Sequence, residues 1–421
     1  MVKTNPEIFL DACRFDVPAK YIYASFLERN IDSDFGYNLY KEHLKVWNDW
    51  RTGDGKNGIQ EYVDTFKSLL LSIKTEGFNT GKSLVYTTED LRLMNGGHRV
   101  AACLLYGKEI WHTVNGTGQT GVNYEYFKNK KNFVPEGLSE KWCDAIAVEY
   151  CKLKPNTFIV TIFPSAVGKR SEAESIIKEK ADIFYKKTIQ LSNEGPLNLM
   201  KELYYGEAWG GRTTGCDAGS FGGLKQKVNL CFREKGPIVV YAITAQSYED
   251  TRCIKEKIRK LYNISNHSVH VNDTTEQTVR LARCLFNNNS IHFMNNSVPA
   301  YFNNFESYIK FFKGYIEDNS LNPDDYCVTA SSVLSRYGLR EGNDLDYLHK
   351  GQEVHGYNMI HSHNSYALGR YHTSVDDIIY NPDNYFYFNG VKFASLDVVK
   401  KLKEKRMEEK DKKDLKLVER L

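Results

Sequence analysis

Between Thr157 and Asn296 the chain alternates short apolar runs with longer amphipathic ones, and this alternation most constrains its fold. The stretch TFIVTIFP is continuously apolar and closes on Pro164, the pattern of a buried strand. A long amphipathic stretch to about Leu203 follows it, and GPIVVYAIT, from Gly236, is the clearest strand in the chain. EDTRCIKEKIRKLY then reads as a helix, SVHV as a strand and DTTEQTVRLARCLF as a second helix. In that helix Asp273 is the expected N-cap, with Glu276 completing a capping box. SIHFMN closes the unit as a further strand. Strand–helix–strand–helix–strand predicts an α/β layer.

At 421 residues the chain exceeds one ordinary core and predicts two or three domains. Its 28 Tyr and 22 Phe supply ample area for burial. A net charge of +3 gives no support to binding through phosphate neutralisation, so a nucleic-acid partner is not expected. The nine cysteines are scattered and never form CxxC, which predicts reduced, mostly buried thiols rather than a disulfide or zinc scaffold. No apolar leader opens the sequence and no run approaches a membrane span, so a cytoplasmic protein without membrane contact is expected.

The flanking segments are also mixed. In IQEYVDTFKSLLLSIKTEGF, Tyr62, Phe66, Leu69, Leu70 and Ile73 share one helical face and Gly77 supplies the stop. SLVYT reads as a strand, and LMNGGHRVAACLLYG as a turn opening a helix that ends at Gly107. Beyond Asn303, FESYIKFFKGYIED predicts a helix, DYCVTASSV a strand entering a turn, and NDLDYL a strand. Asn389-Gly390 between YFYF and VKFAS is a hairpin signal, and the charged tail reads as one or two helices. The expected class is therefore mixed α/β (α+β) and multidomain, with segments 1–150, 155–300 and 305–421.

Asp344 and Asp346 stand one residue apart on the NDLDYL strand and point to one face. Such a pair is either the solvated face of an edge strand or a seat for Mg²⁺. That ion takes hard oxygen ligands and needs only one or two carboxylates when a substrate's phosphates supply the rest. The order Ser331-Ser332, eleven residues, then Asp344-Leu345-Asp346 resembles the nucleotidyltransferase superfamily, whose Gly-Ser turn precedes a D-x-D or D-x-E strand. The resemblance covers about 305–421, including the tail KRMEEKDKKDLKLV, and Ser331 replaces the family's glycine. It implies that Asp344, Asp346 and a third carboxylate hold Mg²⁺ or Mn²⁺, while Ser331 and Ser332 bind the phosphates of an NTP. Asp376, Asp377, Asp383 and Asp397 are open for the third position, with Asp377 preferred.

Asn95-Gly96-Gly97-His98-Arg99 is a second candidate, because a helix N-terminus beside a cation suits an anion. It resembles the phosphate-binding turn of the ParB/sulfiredoxin-like fold over about residues 10–115. In free-serine kinases of that fold the turn reads Asp-Gly-His-His-Arg. Gly96, Gly97, His98 and Arg99 would then bind nucleotide phosphate, with Asp16 or Glu28 as the acidic residue serving as base. A surface turn is the plain alternative. The glycine-rich stretch from Gly206 to Gly223 fits neither a P-loop nor a dinucleotide fingerprint and is a lid or simple connection. His270 is expected in the core, and the loop carrying His361 and His363 beside Asp344.

These readings lead to a nucleotidyltransferase moving a nucleotidyl group from an NTP to a small phosphorylated or hydroxylated metabolite. By analogy, such a domain pairing suits the activation of a building block for a surface glycan. An ATP-dependent small-molecule kinase using the N-terminal ParB-like module, and a non-enzymatic nucleotide-binding regulator or nucleic-acid-associated protein, are the alternatives.

Overall fold

The computed structural model describes residues 1–51, 55–115, 121–207, 209, 221–298, 300, 302–367 and 369–421. Most of the glycine-rich stretch after Gly206, and Cys216 with it, lies outside them. The described part is mixed α and β, with three separate sheets.

In the first segment β1 (Val2–Thr4), β2 (Val85–Thr87), β3 (Leu93–Asn95) and β4 (Ile110–Val114) form a sheet ordered β1-β4-β2-β3. Helices Asp16–Glu28, Phe35–Asn48, Ile59–Glu76 and Gly97–Tyr106 of the same segment pack on one another. The expected stops are in place: Gly77 and Gly107, at φ of 75° and 60°, cap the last two helices.

The middle sheet is β5 (Thr157–Ile162), β6 (Ala181–Ile189), β7 (Ile238–Ala245) and β8 (Val269–Val271), in the order β6-β7-β5-β8 and antiparallel throughout. The continuous apolar runs of β5 and β7 have a direct cause. Val160, Ile162, Val239, Tyr241 and Ile243 pack with Ile254 and Ile258 of the helix Tyr248–Tyr262. The alternate residues Ile159, Ile238, Val240 and Ala242 face the main core. That core also holds Phe15, Phe184, Phe293 and Phe386, so residues of all three segments share it.

Three sequence expectations change here. The amphipathic stretch before Leu203 contains β6, flanked by helices Arg170–Lys178 and Gly195–Leu203. SIHFMN is helical, within Asn288–Asn296; Asn287 caps its start and Ser290, Phe293 and Met294 form its buried face. The cap of the helix Thr275–Leu285 is Thr274 rather than Asp273, and the Asp273 amide donates to Gln277 Oε1.

The last segment builds β9 (Tyr326–Thr329), β10 (Leu345–His349), β11 (Ile360–Ser362), β12 (Tyr385–Phe388) and β13 (Val391–Ala394) into a sheet ordered β11-β10-β9-β13-β12. Asn389 and Gly390, at φ of 50° and 77°, make the hairpin turn between β12 and β13. The tail forms two helices, Leu396–Arg406 and Glu409–Val418, the second opened by a capping box between Glu408 and Asp411. Among the described residues, no helix is long and apolar enough to cross a membrane. The described cysteines are unpaired and, apart from Cys13 and Cys253, buried.

Candidate functional site

β9 ends at Thr329, and Ala330, with φ of 52° and ψ of −132°, turns the chain sharply into the helix Ser331–Arg336. A residue with a Cβ is strained there, by about 1–3 kcal/mol. The turn sends its two serines to different places. Ser332 is fully buried; its hydroxyl accepts the Asp346 amide at 3.0 Å and donates to the Asp344 carbonyl at 3.3 Å. It therefore fixes the D-x-D strand instead of facing a phosphate, which corrects its expected role. Ser331 accepts a bond of 2.9 Å from Arg340, which also grips Asp414 of the tail through two bonds of 2.6 and 2.9 Å. Lys403 completes that cluster with a bond of 2.6 Å to Asp414.

The structure keeps Asp344 and Asp346 together at the start of β10, with Asp344 half-buried and Asp346 mostly covered. Burial pushes the Asp344 carboxyl up and the charge of Asp346 adds to it, while His361 and His363 oppose both. His363 Nε2 lies 3.0 Å from Asp346 Oδ1, and its ring stacks on Tyr366 at 4.8 Å. Tyr366 in turn accepts a bond of 3.0 Å from Arg406 and lies under the Arg370 guanidinium at 3.4 Å.

Asp377 is not brought to this pair. Its carboxylate accepts bonds from Ser33, Thr373 and Asn384 at 2.5, 2.9 and 2.8 Å, in a cleft between the first and last segments. The other candidates are also engaged elsewhere: Asp376 with Lys350, Asp383 with Lys141 and Asp397 with Lys401. His363 is the third polar side chain at the pair. The sequence signal for it was the H-x-H at 361–363, where His361 sits beside Asp346 in the β10–β11 register.

Among the described residues no group of three or more His, Cys, Asp or Glu side chains is arranged to hold a metal ion. What the strand offers is a carboxylate pair in which burial and mutual repulsion outweigh the opposing effect of His361 and His363 at Asp344. That donor set fits Mg²⁺ whose remaining ligands are phosphate oxygens and water.

The GGHR turn is a packing device. A Cβ on Gly97 would sit 2.6 Å from Asp16 Oδ2 and 2.9 Å from Lys20 Nζ; one on Gly96 would sit 2.8 Å from Val85 Cγ2. Beneath the turn, fully buried Asp16 accepts two bonds of 2.8 Å from Arg14 and one of 2.5 Å from Lys20. Burial raises the Asp16 carboxyl, but the Arg14 and Lys20 charges outweigh it and hold it well below the usual range. Burial lowers Lys20 to about 8. His98 bonds to Tyr40 Oη at 2.9 Å and meets the Phe66 ring edge-on, and burial holds it well below its ordinary value. Arg99 donates to the Leu84 carbonyl. At the expected phosphate site of Gly96, Gly97, His98 and Arg99, the glycines admit a buried ion cluster, and the His98 and Arg99 side chains are engaged within the protein. Glu28, the other candidate base, pairs with Lys74 at 2.6 Å.

No family model matches the chain, and neither a curated protein nor a solved structure matches it.

Proposed function

We propose that the face around Asp344 and Asp346 transfers a nucleotidyl group from an NTP to a small phosphorylated or hydroxylated acceptor. The observation carrying this reading is the Ser332 hydroxyl, bonded both to the Asp346 amide and to the Asp344 carbonyl. It makes the Ser331 turn and the carboxylate pair one rigid unit, as phosphoryl chemistry requires of positioned groups. Asp344 and Asp346 would hold Mg²⁺ or Mn²⁺, which when bound supplies charge neutralisation for the triphosphate. His363 fixes the Asp346 carboxylate from the side. Ser331 and Arg340, the latter held in place by Asp414, would meet the negative charge of the departing pyrophosphate. The acceptor oxygen, a hydroxyl giving up its proton to water, bonds to the α-phosphorus; the bond from that phosphorus to the α–β bridging oxygen breaks, and its electron pair leaves with pyrophosphate.

Label position tests this. With α-labelled NTP the label should enter the acceptor, and with γ-labelled NTP it should leave as pyrophosphate. Transfer of the γ-label to the acceptor would replace this reading with a kinase, and binding without either transfer would leave a nucleotide-binding regulator.

A further inference from the structure

The middle segment has a site of its own. Helix Gly222–Cys231, helix Tyr248–Tyr262 and the edge strand β8 border a cavity of about 570 Å³. Lys227, Lys255, Arg259, His267 and His270 line it from different elements. Lys227 is 7% exposed and gives its ammonium to the Asn266 carbonyl at 2.6 Å, with His267 Nδ1 at 3.4 Å. Lys255 donates to the Val271 carbonyl at 3.2 Å. Arg259 Nε and His270 Nε2 are buried without a partner among the described residues. Across the β5–β8 ladder from His270, the Thr161 hydroxyl is likewise unpartnered.

Among the described residues, the negative groups facing these cations are Asp273 and Glu207. Asp273 accepts a bond of 3.0 Å from Tyr248 and lies 3.8 Å from Lys255; Glu207 is exposed. Among the described residues, positive charge therefore exceeds negative in a partly desolvated cavity. Burial, reinforced by neighbouring cations, lowers Lys227 and His267 and takes His270 to about 3. Concentrated cations with unused donors suit a multiply charged oxyanion, which Arg forks and ammonium groups bind together. One wall is aromatic: Tyr204 meets His270 edge-on at 5.0 Å and Trp209 at 4.7 Å, and Trp209 is 48% exposed. An exposed indole beside a cationic pocket offers a planar ring a surface to stack on.

We infer that this cavity binds a small phosphate monoester carrying a planar ring, with Arg259, Lys255 and Lys227 on the phosphate and Trp209 against the ring. The site is separate from the Asp344–Asp346 face and does not rest on the function proposed for it.

Calorimetric titration of AMP into the full chain carrying Asp344→Asn and Asp346→Asn tests the inference without a contribution from that face. AMP should bind, and adenosine should bind at least tenfold more weakly. Arg259→Gln in the same background should weaken AMP at least tenfold at unchanged melting temperature. If Arg259→Gln does not fold, Lys255→Gln carries the same expectation. Equal AMP affinity in the folded Arg259 or Lys255 variant would overturn the inference. So would adenosine binding as tightly as AMP, or no AMP binding at millimolar concentration.

Discussion

The Ser332 hydroxyl accepts the amide hydrogen of Asp346 at 3.0 Å, across fourteen residues of chain. Both ends of that bond are buried, so Ser332→Ala leaves the amide without an acceptor, at a cost of about 1–3 kcal/mol. Urea unfolding should register this loss. Turnover should fall further than stability alone accounts for, because the bond also sets where the carboxylate pair sits.

Asp344 titrates in the direction that costs stability. Burial and the charge of Asp346 raise its carboxyl above the ordinary 3.8 in the folded state. The folded chain therefore holds this proton more tightly than the unfolded one, and stability falls as pH rises from 3.8 through the raised value. Asp344→Asn should raise the melting temperature at pH 7, flatten that part of the pH profile, and abolish turnover. A scanning melt from pH 3 to 7 would show it; a lower melting temperature for Asp344→Asn at pH 7 would contradict it.

The tail helices brace the site through Asp414. Lys403 is 1% exposed and has Asp414 at 2.6 Å and Asp411 at 3.4 Å as its anionic partners. Asp414→Asn removes the nearer charge and also releases Arg340, for a loss on the order of 3 kcal/mol. The sequel to look for in kinetics is a raised KM for NTP, since Arg340 would no longer be held beside Ser331.

Under the GGHR turn the expected effect is structural. Asp16→Asn leaves Arg14 and Lys20 buried without their counter-charge, which should cost about 3–5 kcal/mol. Burial acts to raise the Asp16 carboxyl, but Arg14 and Lys20 lower it overall, so this stability is present above pH 3.8 and is lost as pH falls through the depressed folded value. Gly97→Ala, which forces a Cβ against the same cluster, should destabilise in parallel. Thermal melts of both variants suffice, and a wild-type melting temperature for Asp16→Asn would contradict the packing role.

What could be read from sequence divides along physical lines. β5 and β7 were legible because residues buried on both faces leave an unbroken apolar run. β6 was hidden because ADIFYKKTI carries charges; Lys187 is 3% exposed, and its buried partner Asp144, at 2.6 Å, lies forty-three residues away. SIHFMN is too short to separate a helical period from a strand's, and its deciding cap, Asn287, stands outside it. The Asp344–Asp346 pair and its serine turn were legible because spacing within one strand and one turn is local. The roles of the serines were not, since burial of Ser332 depends on how the turn meets β10. Gly97 looked like room for a ligand, because the carboxylate of Asp16 beneath it is remote in the chain. The position that strains for glycine is Ala330, which composition alone does not reveal.

The most direct measurement is pyrophosphate release. The chain would be incubated with each NTP, Mg²⁺ and a panel of sugar phosphates and hydroxylated metabolites, beside the folded Asp344→Asn, Asp346→Asn double variant. Nucleotidyl transfer predicts acceptor-dependent pyrophosphate from the wild type and at least a thousandfold less from the variant. Equal pyrophosphate release from both, or nucleoside diphosphate as the product, would contradict it.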